Sequence, residues 1–338
     1  MPLISVLMPC YNAAVTLPET LASIVSQTCT DFEVLLVDDG STDDTRQVLQ
    51  AWAQQDQRFR CLPMPHAGII PALNYGLMEA RGEYIARMDA DDLMHPQRLA
   101  LQAEYLDAHP DTALVSCLVQ GFPEGELREG FRIYIDWLNA LTTHEDISRE
   151  IFVESPLCHP SVMFRQDTVL DLGGYQERGW PEDYDLWLRM YLANMRFAKL
   201  PQVLLEWREH PQRLTRTDSR YSLENFIRAK ANYLVFGPLR GRREVFIWGA
   251  GMHGKRISKH LLAQDVPLEA FIDIDPDKIG RTRRGFPIIA PEELPQRWNS
   301  ASSPALLAAV GSRGARELIR EQLADIGLVE GKDWWGVA

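Results

Sequence analysis

Three carboxylates crowd the end of "EYIARMDADDLMHP": Asp89, Asp91 and Asp92. The stretch opens as a short apolar run and closes on this charge. Like charges so near one another repel, and the repulsion raises their pKa values. As anions they need a positive partner, which could be water, a basic side chain or a metal. In an extended segment residues i and i+2 share a face. Asp89 and Asp91 can therefore offer two hard oxygen ligands to one divalent cation. A lone D-x-D pair fits a solvated turn or a helix cap equally well. Other polar clusters share the setting, however. "PCYN" ends one apolar run in Tyr11 and Asn12, and "VLLVDDGSTDDT" ends another in Asp38 and Asp39 before a Gly-Ser turn. "HAGIIPALNYG" places Gly68, which lets backbone approach a ligand closely, at a helix start, with Asn74 further along.

These residues need elements to hold them. The runs "LISVLMP", "DFEVLLVDDG", "RFRCLPM" and "EYIARMDA" read as strands. They alternate with helical patterns: "TLPETLASIVSQ" capped by Thr16, "STDDTRQVLQAWAQQ" capped by Ser41 or Thr42 with acids in its first turn, "IPALNYGLMEARG" from about Ile70 to Gly82, and "PQRLALQAEYLDAH". Such alternation predicts a mostly parallel sheet with helices on both faces. Ligands of such sheets bind beyond the carboxyl ends of the strands, where the polar clusters fall.

A chain of 338 residues is long for one core, so two domains are expected. A second strand, glycine turn, helix, strand series begins in "REVFIWGAGMHGKRISKHLLAQDVPLEAFIDIDPDKIG", after the linker "VFGPLRGRR". The expected domains are 1–237 and 243–338. Gly249, Gly251 and Gly254 follow a strand and open a helix, and Asp273 closes the next strand. That is the context of the dinucleotide fingerprint. His253 and Lys255 depart from the small apolar residues usual there. Two readings stay open for this part: nucleotide binding through Gly249, Gly251, Gly254 and Asp273, or docking and homo-oligomerisation on a retained fold.

The formal net charge of −12 argues against a general nucleic-acid or anionic-membrane binder. No apolar run approaches the roughly 18 residues of a membrane span. The opening "MPLISVLMPCYN" lacks a basic leader and a small-residue cleavage site, so it reads as a strand. The five scattered cysteines fit reduced thiols. The expected location is the cytoplasm, with room for peripheral contact at the inner face of a membrane.

The set "PCYN", "VDDGSTDDT", "AGIIPALNYG" and "EYIARMDADD", in this order and spacing, resembles the nucleotide-sugar-binding half of family 2 glycosyltransferases of the GT-A fold. The likeness continues in "HPSVMFR", "WPEDYDLWLRM" and "LLEWREHPQRLT", and spans about residues 1–235. The tail is similar to Rossmann-like domains found beside bacterial sugar transferases. The resemblance implies that Pro9, Tyr11 and Asn12 line the base and ribose and that Asp39 bonds the base. It implies that Asp89 approaches ribose and sugar, that Asp91 ligates Mn2+ or Mg2+, and that Asp183 is the general base. Where many relatives carry asparagine, this chain has His66.

The chemistry can also be argued from need. Departure of a nucleoside diphosphate leaves negative charge that a metal on Asp91 would neutralise. His210 could add a ligand there and Arg208 could clamp phosphate; a surface histidine and a surface arginine are the alternatives. The acceptor hydroxyl must lose a proton to a carboxylate. Either acid of "ED" could supply it or could instead sit on the helix dipole; the resemblance favours Asp183. One displacement inverts the anomeric carbon. The expected function is thus inverting transfer from a nucleoside-diphosphate sugar, such as a UDP-sugar, to a glycan, lipid-linked or protein acceptor in bacterial surface polysaccharide or glycoconjugate synthesis. The competing classes are an NAD(P)-dependent oxidoreductase, a non-catalytic nucleotide-sugar-binding protein and a nucleotidyltransferase. The first leaves residues 1–235 unexplained and the last leaves "EDYDLW" without a role.

Overall fold

The computed structural model describes residues 2–312 and 314–338. They form two compact units. Unit 1 comprises Met1–Ile147, Pro156–Arg178 and Glu182–Thr217; unit 2 comprises Ser148–Ser155, Gly179–Pro181 and Asp218–Ala338.

Unit 1 is built on eight strands: β1 (Ile4–Cys10), β2 (Phe32–Asp39), β3 (Phe59–Met64), β4 (Tyr84–Arg87), β5 (Leu93–Met94), β6 (Thr112–Phe122), β7 (Met163–Arg165) and β8 (Arg196–Arg208). Their order in the sheet is β3-β2-β1-β4-β7-β6-β8-β5. The first four run parallel. β7 enters antiparallel between β4 and β6, and β6 and β8 then pair parallel again. β1 and β2 are buried along almost their whole length, as an inner parallel strand must be. β4 ends at Arg87, so Asp89, Asp91 and Asp92 stand just past the ladder.

The helices are α1 (Leu17–Val25), α2 (Thr45–Gln55), α3 (Ile69–Glu79), α4 (Arg98–Ala108), α5 (Glu129–Ala140), α6 (His144–Glu150), α7 (Gln166–Asp171), α8 (Glu182–Leu192) and α9 (Leu214–Thr217). Two expected caps do other work. The Thr16 hydroxyl donates to the Ala90 carbonyl instead of capping α1. α2 begins only at Thr45, without acids in its first turn, because Ser41 and Thr42 belong to a turn bonded to Asn12. α3 stops at Glu79, three residues short of Gly82.

Unit 2 has six strands: β9 (Glu244–Trp248), β10 (Leu268–Ile272), β11 (Thr282–Arg283), β12 (Phe286–Ile289), β13 (Pro304–Ala308) and β14 (Trp334–Gly336). Their order is β11-β12-β10-β9-β13-β14, parallel except for the β11–β12 hairpin. Its helices are α10 (Leu223–Phe236), α11 (Met252–Leu262), α12 (Leu294–Ser300) and α13 (Ala315–Asp325). α10 runs into the first two residues of the "VFGPLRGRR" linker and packs on α11 within this unit. Among the described residues no helix is long and apolar enough to cross a membrane.

Candidate active site

The site of unit 1 lies past the carboxyl ends of β1, β2 and β4. Asn12 holds a left-handed backbone (φ 50°), which asparagine tolerates better than most residues. Its side-chain oxygen accepts from the Thr42 amide at 2.8 Å, while its own amide donates to the Ser41 hydroxyl. Asn12 thereby ties the loop after β1 to the loop after β2. Pro9 is the penultimate residue of β1 and is half-buried. Tyr11 is exposed and stacks on His66, with ring centroids 4.2 Å apart. Asp39 is buried, and its two oxygens accept from the amides of Ala67 (2.7 Å) and Gly68 (2.9 Å). His66 Nδ1 lies 2.9 Å from the same carboxylate. Asp39 therefore fixes the turn that enters α3. Gly68, at φ 94°, faces open space where another residue would place a side chain.

Asn74 turns away from this work. Its amide donates to the Tyr175 carbonyl at 2.8 Å, and its oxygen accepts from the Tyr175 amide at 2.9 Å. Both polar ends are taken up in joining α3 to the 174–175 turn. Asn74 is a structural tie here and not, as the motif suggests, a side chain open to a ligand.

The acidic cluster has positive partners built in. Buried Arg87, the last residue of β4, lies 2.5 Å from Asp89. Burial alone would lower the pKa of this guanidinium, yet Asp89 holds it above its ordinary value. Asp91 meets His210 Nε2 at 2.8 Å. That contact raises the imidazole pKa, burial opposing it. Arg208 donates from its backbone to Asp92 and from its side chain to the Asp91 carbonyl and to Glu19. The guanidinium also lies over the Phe122 ring at 4.4 Å. Arg208 thus braces the acidic turn rather than standing free. Asp92 is buried, and its second carboxylate oxygen has no hydrogen-bond partner. Burial, and then the charges of Asp91 and Asp89, push its pKa well up.

Ligand atoms of Asp89, Asp91 and Asp92 lie within 4.8 Å of one another. An orphaned buried oxygen among hard oxygen donors is the condition that a divalent cation relieves. The donor set fits Mn2+ or Mg2+.

On the other side stands the start of α8. Asp183 accepts from the Tyr184 amide at 2.7 Å. Burial, reinforced by Glu182, pushes its carboxyl up to about 7. Behind it is a buried polar chain that the sequence reading did not single out. The Tyr175 hydroxyl is 2.9 Å from His159 Nε2, and His159 Nδ1 is 3.9 Å from Glu182. Burial, helped by Arg87, keeps His159 well below its usual pKa, so it is neutral. A neutral ring either accepts from the Tyr175 hydroxyl at Nε2 or donates to it, according to its tautomer. The field of Arg87 reaches Asp183, His159 and Tyr175 as well as Asp89. One buried cation therefore serves both the acidic cluster and the α8 carboxylates. An arginine inside an otherwise apolar strand was the available signal for it.

In unit 2, Gly254 lies against Gly249, whose carbonyl oxygen would be 1.9 Å from a Cβ at Gly254. This is the close helix–strand approach that the third fingerprint glycine permits. Gly251 precedes α11, and a Cβ there would meet open space. Asp273 accepts from the Ala250 and Asp275 amides and pairs with Lys278 at 3.2 Å.

The glycosyl transferase family 2 profile matches residues 5–173, and a second profile, C2185-like N-terminal, matches residues 241–332. The amylovoran biosynthesis glycosyltransferase AmsE of Erwinia amylovora is 32% identical over 207 residues, covering 60% of this chain and 75% of that protein. The O-antigen biosynthesis glycosyltransferase WbnJ of Escherichia coli is 27% identical over 238 residues, covering 68% and 90%. The crystal structure of S. aureus TarS 1-349 in complex with UDP-GlcNAc superposes with a TM-score of 0.57 at 21% identity, covering 76% of this chain and 71% of that one. At that identity the likeness shows a shared fold.

Proposed function

We infer the reaction from one premise: the chain belongs to glycosyl transferase family 2. It moves a sugar from a nucleoside-diphosphate donor, a UDP-sugar, to an acceptor hydroxyl with inversion. The acceptor is a glycan or lipid-linked saccharide of surface polysaccharide synthesis, the setting of AmsE and WbnJ by their names.

In this reading Pro9, Tyr11, Asn12 and the loop fixed by Asp39 receive the base and ribose. Gly68 lets backbone approach the donor, and Asp89 faces ribose and sugar. Asp91 and His210, with Asp92 behind them, would hold Mn2+ or Mg2+. That ion, when bound, acts as a Lewis acid that neutralises the departing diphosphate. Asp183 takes the proton from the acceptor hydroxyl. A carboxyl titrating near 7 is a better base than an ordinary one and is still substantially ionised at neutral pH. The Tyr175–His159–Glu182 chain holds the start of α8, and Arg208 holds the acidic turn, without touching substrate.

The observation that carries this reading is buried Arg87, which pairs with Asp89 and whose field also reaches Asp183, where it opposes part of the rise caused by burial and Glu182. It links a cation-binding cluster to a base of raised pKa, the two devices that glycosyl transfer needs. The test is a thermal-shift and transfer screen of nucleotide sugars with and without manganese. A UDP-sugar should raise the melting temperature only with manganese, and Asp91→Asn should abolish that shift. A shift that persists unchanged in Asp91→Asn would remove Asp91 from the metal site.

A further inference from the structure

We propose that His66 reads the base of the donor through Nε2 and selects a ring that carries an N–H between two carbonyls, as uracil does. This rests on the donor site proposed above and adds the residue that discriminates there. The resemblance gives the base contact to Asp39. The Asp39 side chain, however, is only 5% exposed, against 55% for His66. One Asp39 oxygen accepts from the Ala67 amide and the other from the Gly68 amide. His66 Nδ1 takes a further place on the second oxygen, at 2.9 Å. With three donors already on it, that buried carboxylate holds a turn and has little left for a ligand. Asp39 is thus a positioning residue, and the edge that faces outward belongs to His66.

The hydrogen bonds fix the chemistry of that edge. His66 Nδ1 also lies 3.0 Å from the Asp39 carbonyl oxygen. A carbonyl oxygen only accepts, so Nδ1 is the donor. The neutral imidazole then carries its one proton at Nδ1 and presents a bare lone pair at Nε2. Among the described residues Nε2 has no hydrogen-bond partner.

The ring is also held in place. Tyr11 stacks on one face, 4.2 Å between centroids and 21° from parallel. Gly40, at φ 68°, lets the backbone of residue 66 close onto the end of β2, where a Cβ at Gly40 would meet the His66 amide nitrogen at 2.6 Å. Backbone, Asp39 and Tyr11 together give Nε2 one direction. An acceptor so fixed takes the N3–H of uracil or thymine. Cytosine carries a lone pair at the same atom, so acceptor would face acceptor and the bond would be lost. Tyr11 is 46% exposed, which leaves ring surface for the base to stack on.

The experiment is calorimetric titration of the intact chain with Mn2+ present, comparing UDP, CDP and 3-methyluridine 5′-diphosphate. CDP differs from UDP at the base edge alone, and the methyl group blocks N3. UDP should bind more tightly than either by about tenfold or more, the worth of one hydrogen bond and its unpaired acceptor. The methyl comparison needs no variant. His66→Phe keeps a flat ring against Tyr11 and removes both ring nitrogens. In it the preference for UDP over CDP should fall to about threefold or less, while CDP affinity stays near the parent's, which also shows that the variant is folded. Asp39→Asn should weaken UDP and CDP alike and leave their ratio unchanged, because it loosens the turn while Nδ1 keeps the backbone carbonyl. If UDP and CDP bind the parent equally, or if the preference survives His66→Phe, the proposal is overturned while the donor site stands. If none of the three binds with Mn2+, the donor site falls and the assignment of His66 falls with it.

Discussion

Asp92 in unit 1 and Asp273 in unit 2 occupy the same kind of place. Each is a buried carboxylate just past a parallel strand, with basic side chains near it. They differ in what their oxygens do. Asp273 is satisfied on both: Ala250 and Lys278 on one, Asp275 and Lys278 on the other. Asp92 has one oxygen on the Arg208 amide and the other on nothing. A satisfied acid holds a turn; an unsatisfied acid in a cluster of acids is poised for a cation. Position in the fold does not separate the two roles, whereas the hydrogen-bond inventory does.

The comparison can be sharpened by substitution. The largest effect should come from the residue whose charge the site makes costly. Asp183→Asn should lower turnover by roughly two to four powers of ten with donor affinity preserved. Glu182→Gln is the control: if it is dead and Asp183→Asn is active, the base is Glu182. Burial and Glu182 raise the Asp183 carboxyl to about 7, so the folded chain holds that proton more tightly than the unfolded one. The sign follows: Asp183 subtracts stability as pH rises from about 4 to about 7. Asp183→Asn should therefore melt higher than the parent at pH 8 and alike at pH 4, which also shows that the inactive variant is folded.

Next in size is the pH profile of the parent enzyme. The base works unprotonated, so turnover should fall about tenfold per pH unit below about 7 and level off above it. A profile flat from pH 5 to 8 would detach Asp183 from the chemistry. Asp92→Asn should then weaken manganese-dependent UDP binding by about 10- to 100-fold, the usual worth of a group that supports a metal site. It should cost no stability at neutral pH, because it removes a carboxylate that burial disfavours. Asp273→Asn should do the reverse. It breaks a satisfied network and should cost about 1–3 kcal/mol in a denaturant melt, read from hydrogen exchange at 249–275. If Asp92→Asn destabilised and Asp273→Asn did not, the contrast between the two acids would collapse.

Much of this was legible in sequence. The alternation of β1, α1, β2, α2, β3, α3 and β4 follows from short apolar runs separated by turn residues, and local pattern suffices to find them. Asp91 and His210 belong to two segments already singled out by motif, and the structure brings them into contact. What could not be read depends on partners far along the chain. Asn74 looks like a ligand residue until Tyr175, 101 positions later, takes both its polar ends. Arg208 looks like a phosphate clamp until Glu19 and Asp91 claim it. The Ser41 or Thr42 cap failed because Asn12 competes for that turn. His159 and Tyr175 lie in separate loops, and nothing local announces their contact. α10 packs with unit 2 although most of the linker follows it, because the apolar stripe of a helix does not say which neighbour covers it.

The counter-charges around the acidic turn have a practical side. Arg87 on Asp89 and His210 on Asp91 supply positive charge before any ion arrives, and the Arg208 backbone amide holds one oxygen of Asp92. The turn therefore needs no metal to fold. Purification through a chelating step should yield intact protein that regains activity on simple addition of manganese, with no refolding and no loading chaperone. Samples prepared in that way would serve as a clean blank for measuring which ion the site selects.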